Sequence, residues 1–387
     1  MSAYYTRVCF NCQPLFLLFF YQKIQISYQL YTNKTDLSNI CLINRLMLNY
    51  LDSFFSCLLP DNINRENIIN ISIESIKTIN DNCNVIAFSF FENLEQEDNL
   101  SGLLEHCCSK ANNVFVFLSE VPSDCSREIA ENLCVRFNNL HLFCELVPNY
   151  KSNIKTYITW FMNTKNFYAE SSWAKDDLKK LTHSTNKEKF FDCLLGSKRN
   201  ERDKIEELYS SSENKNNIIF SYYKNDIASG YWDFDIKNSH HSGDKIVIDN
   251  DITSISNILP ISVYNNSFYS IVSETASSNN FSFFTEKTAK PIVAKRPFIV
   301  FSGKHYLKNL RKLGFQTFNN VVDESYDDID DIDLRFKKAW GEVERLCSRS
   351  PHDVMSKLST VLEYNYNHFI NTNWSSTIKE DLLIAIN

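Results

Sequence analysis

The chain has 387 residues, of which 43% are hydrophobic and 22% charged, and its net charge is −7. This composition is typical of a globular protein, and the length suits two domains of about 150–200 residues each. The negative net charge argues against a protein whose main role is to coat nucleic acid. The chain has only 7 glycines and neither a G-x-G-x-x-G nor a Walker sequence. Any phosphate that it binds must therefore be held by side chains and helix N-termini.

Twelve cysteines are spread along the chain without regular spacing, which indicates reduced thiols and a cytoplasmic protein. Cys9 and Cys12 have the spacing of half a zinc site, but no second pair supplies the other two ligands. The apolar run Pro14–Tyr21 is too short to span a bilayer, and no signal cleavage site follows it. We therefore expect neither a bound metal nor a transmembrane segment.

The N-terminal part of the chain is only weakly periodic up to about residue 80, and a βαβ pattern follows. Val85–Phe91 and Val114–Leu118 are continuous apolar runs of the kind that form buried parallel strands. A helix is predicted between the second run and a short strand at Leu140–Phe143. Its apolar residues recur every four positions, at Ile129, Leu133 and Phe137. We assign residues 1–165 to an N-terminal domain.

A polar stretch, Thr164–Glu188, is interpreted as the connection to a second α/β region. Five strands are predicted there, at Phe190–Leu195, Ile218–Ser221, Lys245–Ile248, Tyr269–Ser273 and Pro297–Phe301. Three helices are predicted as well: one capped by Asn200, one over Thr285–Lys295 with Pro291 near its first turn, and one from Tyr306 that ends before Gly314. Residues 185–350 form the second domain in this interpretation.

Two long amphipathic helices finish the chain, and residues 351–387 form a terminal helical segment that could pack back on the N-terminal domain. The predicted fold class is α/β, with two Rossmann-like domains facing across a cleft and helices at the C-terminus. In open α/β sheets the ligand binds at the carboxyl ends of the strands. Residues directly after strands are therefore the candidates for a site.

Charge is unevenly distributed in the C-terminal region. Between Lys287 and Lys312 there are eight Lys or Arg residues and no acid, and this stretch could face an anionic ligand. Between Asp323 and Asp333 there are seven acids and no base. We interpret the second stretch as a solvated loop, because it lacks the spacing and the glycine of a calcium loop.

Four segments at strand ends carry side chains suited to chemistry: Val114–Ser123, Gly196–Asp203, Phe268–Thr275 and Phe284–Pro291. The first ends a buried strand with Glu120. The second places cations in the first turn of a helix, where they are unfavourable unless an anion relieves them. The third ends with Glu274, and the fourth contains Glu286 and Lys287 just before the strand at Pro297–Phe301.

In this order the segments resemble the alpha-1,3-fucosyltransferases and their bacterial and viral relatives, which have the two-domain GT-B fold. Phe284-Thr-Glu-Lys-Thr is similar to the family's Tyr-Ile-Thr-Glu-Lys-Leu, and Pro297-Phe-Ile-Val to its Val-Pro-Val-Val strand. Phe268–Thr275 resembles a strand ending in Phe-Glu-Asn-Ser, although Thr275 replaces the Asn. Glu120-Val-Pro-Ser resembles Glu-Ser-Pro, and Arg202-Asp203 resembles Arg-Asp. After the last strand, Ser302-Gly303 replaces the family's Gly-Pro. The resemblance covers about half of the chain.

The resemblance implies a glycosyltransferase that moves a sugar from a nucleotide-sugar donor, with a GDP-sugar as one candidate, to a glycan or lipopolysaccharide-type hydroxyl. Glu286 would bind the ribose, Lys287 and Arg202 would neutralise the diphosphate, and Glu274 would belong to the same donor site. Glu120, on the N-terminal acceptor side, would be the base of an inverting transfer. Cations that stabilise the leaving phosphate in the transition state make a metal cofactor unnecessary.

Each assignment has a plainer alternative. Glu120 could cap the helix after Pro122, with Glu92 as a rival base. Arg202 could be a solvated helix residue, with Lys198 and Arg199 as substitutes. His240-His241 lies in a polar, turn-like stretch and is interpreted as a pair of surface histidines.

Two other functions compete with a glycan transferase. The acceptor could be a modified DNA base, which the basic Lys287–Lys312 stretch favours and the acidic balance disfavours. The chain could also be a binding protein that keeps the fold without turnover. Because the net charge is negative, we do not expect nucleic acid to be a partner.

Overall fold

The computed structural model of the chain describes residues 68–70, 84–90, 100–119, 123–182, 186–196, 198–222, 240–242, 245–248, 251–254 and 258–374. These residues form an α/β fold with two all-parallel sheets, one in each half of the chain. The predicted class, α/β with parallel strands, is confirmed.

The N-terminal sheet contains β1 (Ile68–Asn70), β2 (Asn84–Phe90), β3 (Asn113–Ser119), β4 (Leu140–Cys144) and β6 (Lys155–Thr156). Its strands lie in chain order, and β5 (Leu146–Pro148) leaves the sheet. Helix α1 (Leu100–Lys110) links β2 to β3, and α2 (Asp124–Arg136) links β3 to β4. Val114–Leu118 is fully buried, as a continuous apolar run predicts.

The polar stretch after the N-terminal sheet is mostly helical. It contains the end of α3 (Thr159–Glu170) and all of α4 (Ser172–Lys179), which Ser171 caps by accepting from the Ala174 N–H. Phe161, Phe167 and Ala174 are buried in the hydrophobic core around the C-terminal sheet. The polar segment that connects the two sheets therefore contributes to the core around the C-terminal sheet, because its few apolar residues recur at helical spacing.

The C-terminal sheet contains β7 (Lys189–Leu195), β8 (Ile218–Tyr222), β12 (Ser267–Ser273) and β14 (Phe298–Phe301), in the order β14-β12-β7-β8. All seven residues of β12 are buried, because this strand is central in the sheet and helices also pack against it. Four helices accompany the sheet: α5 (Asn200–Ser211), α6 (Ile261–Asn266), α7 (Glu286–Val293) and α8 (Tyr306–Lys312). Gly314 follows α8 with φ 93°, as predicted for the residue that ends this helix.

Three local predictions need correction. Asn200 is the first residue of α5 and Arg199 its N-cap, so the cap lies one residue earlier than predicted. Pro291 lies inside α7 and not in its first turn. His240-His241 belongs to strand β9 (His240–Ser242), which pairs with β10 (Lys245–Ile248), itself paired with β11 (Asp251–Ser254). Pairing with β10, a strand that the sequence pattern does predict, overrides the turn-like composition of this stretch.

The C-terminal helices are α9 (Ile332–Cys347) and α10 (Pro351–Asn371). Their predicted apolar faces are buried, including Trp340 on α9 and Leu358 on α10. Helix α10 packs on α3 and on α7, within the core around the C-terminal sheet. Helix α3 begins in the segment assigned to the N-terminal domain, but its buried residues Phe161 and Phe167 lie in the core around the C-terminal sheet. The packing of the terminal segment on an N-terminal domain therefore stays a prediction.

A short antiparallel pair joins the two halves of the chain. Strand β13 (Phe281–Phe283), between β12 and α7, pairs with β5, with Phe283 opposite Leu146. Phe281 and Phe283 are buried in the hydrophobic core of the N-terminal sheet. Because β5 follows the carboxyl end of β4 and β13 follows that of β12, the pair connects the carboxyl edges of the two sheets.

Candidate functional site

The C-terminal sheet reverses its strand order at β7, since the chain places β8 on one side of β7 and β12 on the other. Such a reversal opens a crevice at the carboxyl ends of the two strands, and this is where ligands bind in open α/β sheets. The turn after β7 leads into α5, and Glu274 and Thr275 directly follow β12. The second and third segments of the sequence analysis therefore meet at this crevice.

Two cations converge on Thr275. The Arg199 guanidinium donates to the Thr275 carbonyl at 2.9 Å, and Lys287 Nζ donates to the Thr275 hydroxyl at 3.1 Å. Arg199 is exposed, and the Lys287 side chain keeps 26% of its surface exposed. Two positive charges within the span of one residue, both open to solvent, form a site suited to an anion.

Helix α7 presents Lys287 because of its local sequence. Thr285 is the N-cap, and its hydroxyl accepts from the Lys287 N–H at 3.2 Å. Glu286, the first helical residue, is buried, and its carboxylate lies 3.0 Å from Lys287 Nζ. Burial alone would raise the pKa of Glu286, but Lys287 and Lys290 outweigh it and hold the pKa below its usual range. The carboxylate therefore stays ionised beside the two lysines.

Lys290 lies one turn after Glu286 on α7 and is half-buried. Burial lowers the pKa of Lys290 to about 8, with Glu286 opposing the shift and Lys287 adding to it. Its charge near neutral pH therefore depends on the ions around it, including any bound anion.

Arg202 is buried against the turn that follows β7, with only 4% of its surface exposed. A Cβ atom at Gly196 would lie 3.1 Å from Arg202 Nη1, so the glycine makes room for the guanidinium. Burial and the neighbouring Arg199 lower the pKa of Arg202, whereas Glu286 and Glu274 favour its charged form. The structure thus brings Arg202 into electrostatic reach of both carboxylates, but gives Arg199 the more accessible position.

Glu274 is also buried, and its carboxylate is engaged by its neighbours. It accepts from the hydroxyls of Thr285, Thr288 and Tyr306 at 2.6, 2.6 and 2.8 Å. The four C-terminal residues of the predicted donor site, Arg202, Glu274, Glu286 and Lys287, therefore lie around one crevice. Their accessibility differs, and only Lys287 reaches solvent to a useful extent.

On the N-terminal side, Glu120 and its rival Glu92 lie outside the described residues. Strand β3 ends at Ser119, and the N-cap of α2 is Ser123, whose hydroxyl accepts from the Ser126 N–H at 3.1 Å. Capping of α2 is thus provided by Ser123.

Sequence reasoning missed Glu145. This residue directly follows β4, is 8% exposed, and precedes the Leu146 that pairs with Phe283 of β13. Phe284 and the segment with Glu286 and Lys287 follow β13 in the chain. The rule that selected Glu120, a carboxylate directly after a buried strand, would have selected Glu145 as well.

Hydrogen bonds reinforce the junction beside the site. The Asn309 amide, fully buried on α8, donates to Asn149 Oδ1 at 2.7 Å and to Ser282 Oγ at 2.9 Å. Asn149 in turn donates to the carbonyls of Asn279 and Lys304, at 3.0 and 2.8 Å. The loops after β5, β12 and β14 are therefore tied together.

The basic stretch Lys287–Lys312 does not form one anion-binding face. Arg296 is buried and pairs with Asp192 at 2.6 Å. Several other cations of the stretch pair with acids elsewhere in the chain: Lys295 with Glu363, Lys304 with Asp330, and Arg311 with Glu324. The charges of these residues are therefore shared with the protein's own carboxylates.

Five of the seven acids in Asp323–Asp333 are exposed, as a solvated loop predicts, whereas Glu324 is partly buried and Asp327 is buried. Glu324 accepts from the Phe318 N–H at 2.6 Å. Asp327, 4% exposed, accepts from the N–H groups of Leu307 and Lys308 at 2.9 and 3.0 Å and so caps α8. These carboxylates satisfy backbone donors that would otherwise lack a partner.

Among the residues that the structure describes, no group of three or more His, Cys, Asp or Glu side chains is placed to hold a metal ion. Within the same part of the chain, no helix combines the length and apolar composition needed to span a bilayer. Comparisons of the chain with known protein families, with curated proteins and with solved structures found no match.

Proposed function

We propose that the protein is a nucleotide-sugar-dependent glycosyltransferase whose donor diphosphate binds at the crevice between β7 and β12. The observation that carries this proposal is the convergence of Arg199 and Lys287 on Thr275. These two accessible cations lie where the strand order of the sheet reverses, which is the usual place for a ligand. They could hold a diphosphate by side chains, in a chain that lacks a glycine-rich phosphate loop. The resemblance of this segment to the alpha-1,3-fucosyltransferases supports the same assignment.

The chemistry of the transfer fits these groups. As the bond between the sugar and the diphosphate breaks, negative charge builds on the leaving phosphate, and fixed cations stabilise that charge. Lys287 and Arg199 would contact the diphosphate directly, and buried Arg202 would add positive charge from beneath the turn. Glu286 would accept hydrogen bonds from the ribose hydroxyls. With protein cations neutralising the leaving group, we expect transfer to proceed without a metal.

The arrangement of the two sheets supports a GT-B-like architecture with a cleft between Rossmann-like halves. Their carboxyl edges are joined through β5 and β13, so strand ends of both halves lie near the donor crevice. An inverting transfer needs one carboxylate to take the proton of the acceptor hydroxyl. We propose Glu120 for this role, with Glu145 as the alternative that the junction favours. The acceptor that we propose is a glycan or lipopolysaccharide-type hydroxyl.

A thermal-shift screen in EDTA tests the proposal. GDP, UDP, CDP and dTDP are each added alone and as their sugar conjugates, and the release of nucleoside diphosphate is measured. A specific donor raises the melting temperature by mass action. We expect one nucleoside diphosphate to stabilise the protein almost as well as its sugar conjugate, with slow donor hydrolysis in EDTA. Turnover that requires Mn²⁺ or Mg²⁺ would contradict metal independence, and stabilisation by none of the compounds would contradict the donor site.

A further inference from the structure

Glu274 forms the centre of a buried hydrogen-bond network at the end of β12. One carboxylate oxygen lies 2.6 and 2.8 Å from the hydroxyls of Thr288 and Tyr306, which also lie 2.6 Å from each other, so the two hydroxyl hydrogens are shared among three contacts. The other accepts from the Thr285 hydroxyl at 2.6 Å. Glu274 is 4% exposed, and Thr285, Thr288 and Tyr306 are 1%, 0% and 0% exposed. Each partner of the carboxylate is therefore a protein group shielded from solvent.

Thr285 links Glu274 to Lys287 through hydrogen bonds to both residues. Because its hydroxyl hydrogen points to Glu274, its oxygen lone pairs are left to accept from the Lys287 N–H at 3.2 Å and from Nζ at 3.4 Å. The negative charge of Glu274 thus sets the direction of the Thr285 hydroxyl, and that hydroxyl orients the first turn of α7.

The other side of the network is fixed by α8. Tyr306 is the first residue of this helix, whose N-terminal N–H groups are held by Asp327. The Tyr306 ring packs on Phe284, with 4.6 Å between ring centroids. Glu274 therefore connects a rigid tyrosine to the N-cap of the helix that carries Lys287.

We infer that Glu274 is a positioning residue of the diphosphate site, which acts by orienting Thr285 and Lys287 and does not itself contact the donor. This assignment rests on the proposed function. It differs from the role that the sequence resemblance implies for Glu274, in which the residue belongs to the donor-binding set.

Glu274→Gln is the informative change because it keeps the size of the side chain and removes the charge. The new amide has an NH₂ donor in place of one carboxylate oxygen. If the NH₂ group faces Thr285, the threonine oxygen must accept from it, and the threonine hydroxyl hydrogen is left without an acceptor. The cap would then lose its orientation toward Lys287. We expect nucleoside diphosphate affinity to fall about tenfold, the scale of one misdirected buried hydrogen bond.

A double-mutant cycle separates positioning from direct contact. The affinity of the tightest-binding compound among GDP, UDP, CDP and dTDP is measured for the wild type, Glu274→Gln, Lys287→Ala and the double variant. If Glu274 acts through Lys287, the double variant binds as weakly as Lys287→Ala alone. Fully additive losses would show that Glu274 contacts the ligand and would overturn the inference. Tyr306→Phe, which removes one fully buried donor to Glu274, replaces Glu274→Gln in the cycle if the latter fails to fold.

Glu342→Gln is the matched control, because Glu342 is a carboxylate on α9 that is 8% exposed and accepts from the Asp323 N–H at 2.8 Å. It should lower the melting temperature without changing nucleoside diphosphate affinity. Wild-type affinity in Glu274→Gln, together with a loss in Lys287→Ala, would overturn the positioning role and leave the proposed function standing. A wild type that binds none of the four compounds would overturn both.

Discussion

Thr275 is the residue on which the two accessible cations of the site meet, through its carbonyl and its hydroxyl. Of these cations, the sequence resemblance indicated Lys287, whereas Arg199 was only a substitute for Arg202. The reason is geometric: Arg202 turns inward under Gly196, and Arg199, at the N-cap of α5, points outward. Arg199 has an extended backbone, with φ −151° and ψ 150°, whereas Arg202 lies in the first turn of the helix. Sequence alone does not show which of several neighbouring arginines faces the crevice.

We expect Lys290 to make anion binding at the proposed site depend on pH. Its pKa of about 8 lies below the usual value because burial disfavours the charged form. An anion bound nearby favours the charged form, so the pKa of Lys290 rises in the complex and binding takes up protons from about pH 8 upward. We expect nucleoside diphosphate affinity to fall as pH rises through this range.

Calorimetric titrations at pH 8.5 in two buffers of different ionisation enthalpy measure this proton uptake directly. Lys290→Gln should abolish the difference between the buffers. A wild type whose binding enthalpy is the same in both buffers would show that Lys290 does not sense the ligand.

For the proposed transfer, the candidates for the base are the carboxylates that follow two neighbouring strands, β3 and β4. We expect Glu120→Gln to lower the rate of donor hydrolysis about 10²–10⁴-fold, the range typical of general-base loss, while diphosphate affinity stays unchanged. Glu145→Gln should reduce it much less. Glu128→Gln, on the exposed side of α2, is the control. Near-normal hydrolysis in Glu120→Gln, combined with a large loss in Glu145→Gln, would move the assignment to Glu145.

At the scale of elements, the loops after β12 and β14 pack so closely that Gly303 has no room for a side chain. A Cβ atom there would lie 1.8 Å from the Ser278 carbonyl oxygen. We expect Gly303→Ala to lower the free energy of unfolding by about 3 kcal/mol or more, since backbone atoms must move. Gly341 lies inside α9 with nothing within 4 Å of the added atom. Gly341→Ala should therefore stabilise the protein, by about 0.5–1 kcal/mol.

Urea unfolding of the wild type and of the two glycine variants measures both changes in the free energy of unfolding. Gly341→Ala serves as the reference variant. A Gly303→Ala protein as stable as the wild type would show that the two loops are less tightly packed than the structure indicates.

The elements that the sequence predicted best are those whose own pattern determines them. The buried strands around Val114–Leu118 and Tyr269–Ser273 are continuous apolar runs, and α9 and α10 have long apolar faces. Some of the elements that it missed depend on distant partners. Strand β5 exists because it pairs with β13, more than a hundred residues away. The strand at His240-His241 was missed for another reason, since its partner β10 follows closely in the chain and only the turn-like composition concealed it.

For the whole molecule, each half of the chain contributes to the core of the other. Phe281 and Phe283 lie in the core of the N-terminal sheet, and Phe161 lies in that of the C-terminal sheet. The predicted domain boundaries at residues 165 and 185 rest on composition, and they stay a prediction. An exchange of core residues between the halves cannot be inferred from the local pattern of the sequence.

The uneven distribution of charge along the sequence is explained by ion pairs between distant segments. Lys304 and Arg311 of the basic stretch pair with Asp330 and Glu324 of the acidic one.

The central claim is that the crevice between β7 and β12 binds a nucleoside diphosphate through Lys287 and Arg199. Calorimetric titration of the best nucleoside diphosphate into Lys287→Ala, Arg199→Ala and Lys308→Ala measures it most directly. Lys308 is an exposed lysine on α8, beside Asp327, and its replacement gives the same change in net charge. We predict that each of the first two variants loses about 1.5–3 kcal/mol of binding free energy, the scale of a charge-assisted hydrogen bond, and that Lys308→Ala binds like the wild type. Equal affinity in all three variants and the wild type would contradict the claim.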